Sequence, residues 1–258
     1  MEKVSYEIQN HMAIVTINNP PLNVMSKQVS LELYEVFSKL ETNEEAVTVI
    51  LTGSGNKAFM AGADIKEFPE WIGQTGFKDI VMETHRVLNY IDDFPKPTIA
   101  VLNGLTFGGG CELAMTCDMR VAEEHAQLGL PEIKLGLFPG GGGTQRLPRL
   151  IGEAKAKELM FTGEPVTAEE ADRYGLVNHV VPSGQGMAYA QVLAAKMTGQ
   201  SLQALSRIKR AVNKGAHLPI ESAVELEAEL FEEVFQTEDI KEGVQAFIEK
   251  RKPAFTHR

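Results

Sequence analysis

Cysteine is scarce in this chain: two in 258 residues, Cys111 and Cys117. Their spacing fits neither a zinc knuckle nor a redox pair, and nothing requires an oxidising compartment. Positive charge is also in deficit. Lys and Arg number 25 against 35 Asp and Glu, a net charge of -10 that argues against a broad nucleic-acid footprint. No apolar run is long enough to span a bilayer. The first residues, Met1 to Ile8, carry charges and alternate, where a signal peptide would show an apolar block. The expectations are therefore no nucleic acid, no membrane and a cytoplasmic location. No His, Asp and Glu cluster at ligand spacing, and His85 and His125 stand isolated, so no metal is expected. Basic groups do gather locally at Lys250, Arg251, Lys252, His257 and Arg258, which keeps an anionic ligand in play.

What is present suits a large core. With 43% hydrophobic and 23% charged residues the composition is that of a globular protein, and the length suits one main domain with an appendage. Val4, Tyr6 and Ile8 alternate, as do Ile14 and Ile17 after the Asn10-His11 turn, predicting a β-hairpin. Ser26 is a candidate N-cap for a helix carrying Val29, Leu33, Val36, Phe37 and Leu40 on one side. Val47 to Thr52 and Thr98 to Asn103 are predicted buried strands, with shorter ones at Met119 to Ala122 and Gln127 to Leu128. Between them, Phe77, Ile80, Val81, Thr84, Val87, Leu88 and Ile91 fall at helical spacing until Pro95 and Pro97. Helices follow at 144–150, 153–161 and 168–174, the last with a Thr167/Glu170 capping box and a Gly175 stop. Leu176 to Val181 predicts one more strand. Beyond it the pattern is helical, over 187–197, 203–214, 220–235 and 238–250. The reading is an α/β core over 1–190 and a helical part over 191–258. Val224, Leu226, Leu230, Phe231, Val234 and Phe235 give one of those helices an apolar surface wide enough for a subunit interface.

Three glycine-rich stretches bear on chemistry. Gly53-Ser54-Gly55-Asn56-Lys57-Ala58 matches the dinucleotide fingerprint superficially, but Phe59 to Asp64 reads as a tight turn and not as a long helix, so a nicotinamide cofactor is rejected. Gly140 to Gly143 lacks the Lys-Ser or Lys-Thr pair of a phosphate loop and reads as a flexible turn into a helix. Phe107-Gly108-Gly109-Gly110-Cys111-Glu112 is more informative. Glycines at a helix start admit a ligand to the backbone, and free amides there favour negative charge. A carboxylate one turn further in suits an acid or base beside a developing oxyanion. Glu132 stands twenty positions on, at the end of a buried strand. Two carboxylates sharing one pocket would push their pKa values apart.

The segments Lys57 to Lys66, Gly108 to Met115, and Pro131-Glu132 followed by Pro139 to Leu147 resemble the crotonase (enoyl-CoA hydratase/isomerase) superfamily. The likeness runs from Pro21-Leu22-Asn23-Val24 to the Lys250-to-Phe255 ending. It implies a spiral of ββα units with a helical C-terminal trimerisation region, in homotrimers often paired as hexamers. It implies an acyl-CoA thioester as substrate and no cofactor beyond that CoA. The thioester oxygen would sit between the amides of Ala63 and Gly109, with Glu112 and Glu132 as the acid–base pair that adds water across the 2,3 double bond. Ala61, Asp64, Ile65 and Lys66 would line the CoA path, and Phe255 with the basic tail would close over CoA, within or across subunits. Both carboxylates favour hydration over isomerisation. Methylglutaconyl-CoA hydration, enoyl-CoA isomerisation and a non-catalytic acyl-CoA scaffold are the alternatives. Phe68, Trp71 and Met82 are candidates for the acyl pocket or for the core, and Leu130 stands where some members carry Gln.

Overall fold

The computed structural model describes residues 2–258; Met1, where the charged opening segment begins, lies outside them. The chain opens with the expected hairpin, β1 (Val4–Gln9) and β2 (Met12–Ile17), turning through Asn10 and His11, both at positive φ. Helix α1 (Lys27–Glu41) starts at Ser26, whose side chain accepts from Val29 N, and buries Val29, Leu33, Val36, Phe37 and Leu40. The same side chains were singled out by their spacing.

A repeated unit follows. β3 (Thr48–Gly53) and β4 (Ala58–Ala61) precede α2 (Phe77–Asp92); β5 (Thr98–Leu102) and β6 (Leu105–Phe107) precede α3 (Gly109–Ala114); β7 (Met119–Glu123) and β8 (Gln127–Gly129) precede α4 (Gly143–Ile151). The first strand of each pair joins a six-stranded sheet and the second a four-stranded one. Strand pairing is parallel from one unit to the next in both sheets, so the chain advances as a spiral. Then come α5 (Glu153–Thr162), β9 (Val166–Thr167), α6 (Ala168–Tyr174), β10 (His179–Val181) and α7 (Gly186–Thr198). The large sheet runs β1-β2-β3-β5-β7-β10 and the small one β4-β6-β8-β9.

The inner strands of the large sheet, β2, β3 and β5, are buried on both faces, which is why β3 and β5 read as continuous apolar runs, whereas the edge strand β1 is largely exposed and alternates. Val49, Leu51, Ala100 and Leu102 point into the main core with α1 and α2. Ile50, Ile99, Val101 and Val121 point the other way, under Ala190 and Ala194 of α7. Residue 190 therefore falls inside a helix that is part of the sheet's packing. The remaining helices, α8 (Leu202–Gly215), α9 (Ile220–Val234) and α10 (Glu238–Glu249), form the C-terminal part. Lys209 ties α8 to the core through Asp118 at 3.0 Å, and buried Asp239 gathers Ser201 and the amides of Thr256 and His257. Of the apolar surface expected on α9 only Leu230 is buried; Val224, Phe231 and Phe235 stay exposed, as do Phe247 and Ile248 on α10. Among the described residues no helix is long and apolar enough to cross a membrane.

Three expectations change. Phe59 to Ala61 is strand β4 and not part of a tight turn; a 3-10 helix, Ile65–Glu70, follows it. Glu132 lies three residues past the end of strand β8, on a 3-10 helix spanning Pro131–Leu135. The last strand begins at His179 and not at Leu176, because Leu176 N still bonds to Ala171 O across the Gly175 cap. The Thr167/Glu170 capping box is present as expected.

Candidate active site

The N-terminus of α3 is where the expected residues meet. β4 ends at Ala61, Gly62 turns at φ 92°, and Ala63 forms one parallel bridge with Met25. That bridge uses Gly62 O and Asp64 N, at 2.8 Å each, so the Ala63 amide faces away from Met25. On that other side stands Gly109: a Cβ added to it would lie 3.7 Å from Ala63 N. Gly109 is the first residue of α3, where an amide has no carbonyl partner within the helix. Gly110 allows this closeness, because a Cβ there would lie 2.7 Å from the Met60 carbonyl carbon and nearer still to its oxygen. Gly109 therefore lies beside the Ala63 amide.

Glu112 is one turn further into α3, its amide bonded to Gly108 O at 2.9 Å and its surface only 3% exposed. Its Oε1 accepts from Gly141 N at 2.7 Å and from Gly143 N at 2.8 Å. Glu132 reaches the same place from the neighbouring 3-10 helix. A Cβ on Gly108 would lie 3.0 Å from Glu132 Oε1 and 3.5 Å from Gly62 Cα, so only a glycine at φ 51° fits there. Glu132 Oε2 is buried without a hydrogen-bond partner. Leu130, which departs from the Gln of some members, is buried beneath the turn and would touch a Cβ on Gly143 at 3.0 Å.

The two acids sit in different electrostatic settings. Burial pushes the Glu132 carboxyl up to about 7, helped by the negative charge of Glu112 and only partly opposed by a backbone hydrogen bond. Burial also raises Glu112, but the amides of Gly143 and Gly141 and the Arg146 guanidinium pull it back. Fixed donors thus favour a carboxylate at 112, while the apolar setting favours a neutral acid at 132. Two carboxyl groups in such different settings suit the roles of a base and an acid.

The other expected residues are placed as follows. Ala61 is half-buried at the end of β4; Asp64 caps the 3-10 helix through Lys66 N at 3.2 Å; Ile65 and Lys66 are exposed beside it. All four border Ala63. The tail folds back on its own chain: Phe255 packs over Gly243 of α10, and Arg251 pairs with Glu242 at 2.6 Å. Phe68, Trp71 and Met82 are not core. Phe68 and Phe77 flank Trp71 at 5.3 and 5.6 Å between ring centres, and Met82 is exposed. The N-terminal half of the α2 stripe, Phe77 and Ile80, is likewise open. His125 meets Ser183 Oγ at 2.8 Å, Asn56 O at 3.2 Å and Glu123 Oε2 at 3.7 Å.

Sequence reasoning missed the contribution of Gly141 and Gly143. It treated four glycines in a row as a flexible turn, and the turn does lead into α4. What it overlooked is that a backbone without side chains can hold a carboxylate against two amides. A Cβ at Gly141 would overlap Glu112 Oε2. Glycine beside a candidate catalytic acid in the fold, and not in the sequence, was the missing signal.

A spiral of two-strand, one-helix units here brings one buried and one half-buried carboxyl group to a single helix start. The chain belongs to the enoyl-CoA hydratase/isomerase family, whose sequence profile matches residues 7–258. It is 43% identical to a short-chain-enoyl-CoA hydratase of Clostridium acetobutylicum, over 98% of this chain and 97% of that one. It is 39% identical to a crotonyl-CoA hydratase of Syntrophomonas wolfei, over 98% of each. Its fold superposes on the crystal structure of an enoyl-CoA hydratase from Bacillus anthracis with a TM-score of 0.93, at 37% identity over 99% of this chain and all of that one.

Proposed function

We propose that this protein is an enoyl-CoA hydratase, adding water across the 2,3 double bond of an enoyl-CoA to give a 3-hydroxyacyl-CoA. The observation that carries the reading is two carboxylates of different electrostatic setting beside two adjacent backbone amides. In this reading the thioester oxygen accepts from Ala63 N and Gly109 N. Negative charge grows on that oxygen as the β-carbon is attacked, and one fixed donor of this kind is worth about 3–4 kcal/mol in the transition state. Glu112 takes a proton from the water as its oxygen bonds to the β-carbon. The π electrons move into an enolate, which takes the proton of Glu132 at the α-carbon. Proton exchange then resets the pair. Ala61, Asp64, Ile65 and Lys66 line the CoA path, and the reaction needs no cofactor beyond the CoA of the substrate.

The assembly and setting belong to the same proposal. Phe231, Phe235, Phe247 and Ile248 leave a wide apolar surface on the C-terminal helices, which suits a homotrimer or a pair of trimers. Buried, unpaired Cys111 and Cys117 suit the cytoplasm.

The test is the loss of conjugated-thioester absorbance on hydration of crotonyl-CoA, repeated with longer enoyl-CoAs and 3-methylglutaconyl-CoA. Glu112→Gln and Glu132→Gln should each lower kcat by roughly 10²–10⁴-fold with KM little changed. Near-normal turnover in both single variants would refute the assignment, and no hydration of any enoyl-CoA would refute the function.

A further inference from the structure

Arg146 stands on the first turn of α4, just past the four-glycine turn, and touches neither carboxylate. Its guanidinium spans three acceptors. Nε donates to Asp92 Oδ2 at 3.1 Å, Nη2 to Asn89 Oδ1 at 2.7 Å and Nη1 to Gly141 O at 3.3 Å. The first two are on α2 and would serve any helix-to-helix fastener. The third is not explained that way. Gly141 is the residue whose amide holds Glu112 Oε1, so its N–H faces the carboxylate and its C=O faces Arg146. The Arg146 amide also bonds to Gly142 O at 2.8 Å, closing the turn from the other side. Gly142 adopts φ 103°, and a Cβ there would overlap Nη1, so the turn is shaped around the guanidinium. The side chain is only 14% exposed.

We propose that Arg146 is a positioning residue for the reaction: it locks the Gly140–Gly143 turn between α2 and α4 so that the amides of Gly141 and Gly143 hold Glu112 in its reactive orientation. The proposal rests on the reading of Glu112 as the base. A lysine could not do the same, because an ammonium is a point charge while the guanidinium presents a flat fork to three acceptors at once. The electrostatics agree with the geometry. Burial disfavours the Glu112 carboxylate, and the two glycine amides and then Arg146 favour it. The other ionisable groups around this turn are Glu132 on its 3-10 helix, Cys111 on α3, and His85, Asp92 and Asp93 on α2; Arg120 of β7 acts on Cys111 and Asp92, and Lys209 of α8 on Asp92, but Arg146 is the cation that acts on Glu112. None of these is a cation that could replace Arg146 beside Glu112.

The test uses the full-length enzyme with Arg146→Gln, Arg146→Lys and Asp92→Asn, each checked by thermal melting and assayed with crotonyl-CoA across pH. Arg146→Gln should lower kcat by roughly 10–100-fold with KM within about twofold, as a misplaced catalytic group does. The acid limb of its kcat profile should move up by at least about half a pH unit, because a cation that favours the Glu112 carboxylate has gone. Arg146→Lys should return the limb towards its wild-type position while restoring only part of kcat. Asp92→Asn should lower kcat and leave the limb in place. A merely structural arginine would reduce the amount of active enzyme without moving the limb. An unmoved limb in Arg146→Gln therefore overturns the proposal, whatever its kcat. If that variant fails to fold, wild-type kcat in both Arg146→Lys and Asp92→Asn overturns it instead. Glu112→Gln separates the two readings: if it turns over normally, the base assignment has failed and the role of Arg146 falls with it, whereas an inactive Glu112→Gln beside an unmoved limb in Arg146→Gln overturns the role of Arg146 alone.

Discussion

Adding one methyl group at Gly141 should disable this enzyme without unfolding it. A Cβ there would lie 2.9 Å from Glu112 Cδ and 3.3 Å from Leu88 Cδ1, and would overlap Glu112 Oε2. Carbon atoms rest comfortably at about 3.5–4.0 Å, so the carboxyl group has to retreat by roughly 0.6–1 Å. Retreat strains the 2.7 Å bond from Gly141 N and the 2.8 Å bond from Gly143 N. A misplacement of about 1 Å in a reacting group can cost roughly 10²-fold. The expected loss in kcat for Gly141→Ala is therefore ~10²-fold, or about 2.7 kcal/mol of transition-state stabilisation. KM for crotonyl-CoA should change little, because the methyl group is beside the acid and not beside Ala63 or Gly109. Gly140→Ala is the control. Its Cβ would meet only Phe138 O, at 3.9 Å, an ordinary contact. Steady-state kinetics by the absorbance assay, with a thermal melt for each variant, measures both. Wild-type kcat in Gly141→Ala, within about threefold, would refute the claim that these amides set the position of Glu112.

Two further outcomes concern stability. Because burial raises Glu132 to about 7, the folded state binds a proton there that the unfolded chain, at its ordinary 4.5, has already lost. Wild-type stability should therefore fall as pH rises from about 4.5 to 7, and the full penalty applies above 7. Glu132→Gln removes that penalty and should be more stable than wild type at pH 8 by about 1–2 kcal/mol, discounted for the group's partial exposure, with the gap closing towards pH 5 in urea melts. A gap that widens as pH falls would contradict the sign. Gly110→Ala should not yield soluble protein, since its Cβ would collide with the Met60 backbone and separate α3 from β4; a folded variant with a wild-type melting temperature would show that the two elements are less tightly packed.

Much of the architecture could be read from local chemistry. The Ser26 cap, the five-residue stripe of α1 and the Thr167/Glu170 box each follow from one turn of helix and its neighbours. The short strands β4, β6 and β9 were not legible. They have four, three and two residues, too few to show a period, and they are strands only because the small sheet pairs them. The candidate site divides the same way. Glu112 and Gly109 share one helical turn and could be associated from the sequence, whereas Gly141, Gly143 and Arg146 act through a turn whose position next to Glu112 is a tertiary fact. The exposed side chains of α9 differ again: their apolar character was plain, but a single chain does not bury them.

In the proposed mechanism the first residue of α3 offers its backbone to the thioester and the fourth offers an acid, with two residues between them and a spacing set by the helix rise. That span works as a ruler machined into the backbone. It decides which carbon along the acyl chain faces the acid once the carbonyl has docked. A protein on this scaffold cannot slide the acid to another carbon without dismantling the helix; to change chemistry it must swap what is mounted at 112 and 132 and keep the spacing it inherited.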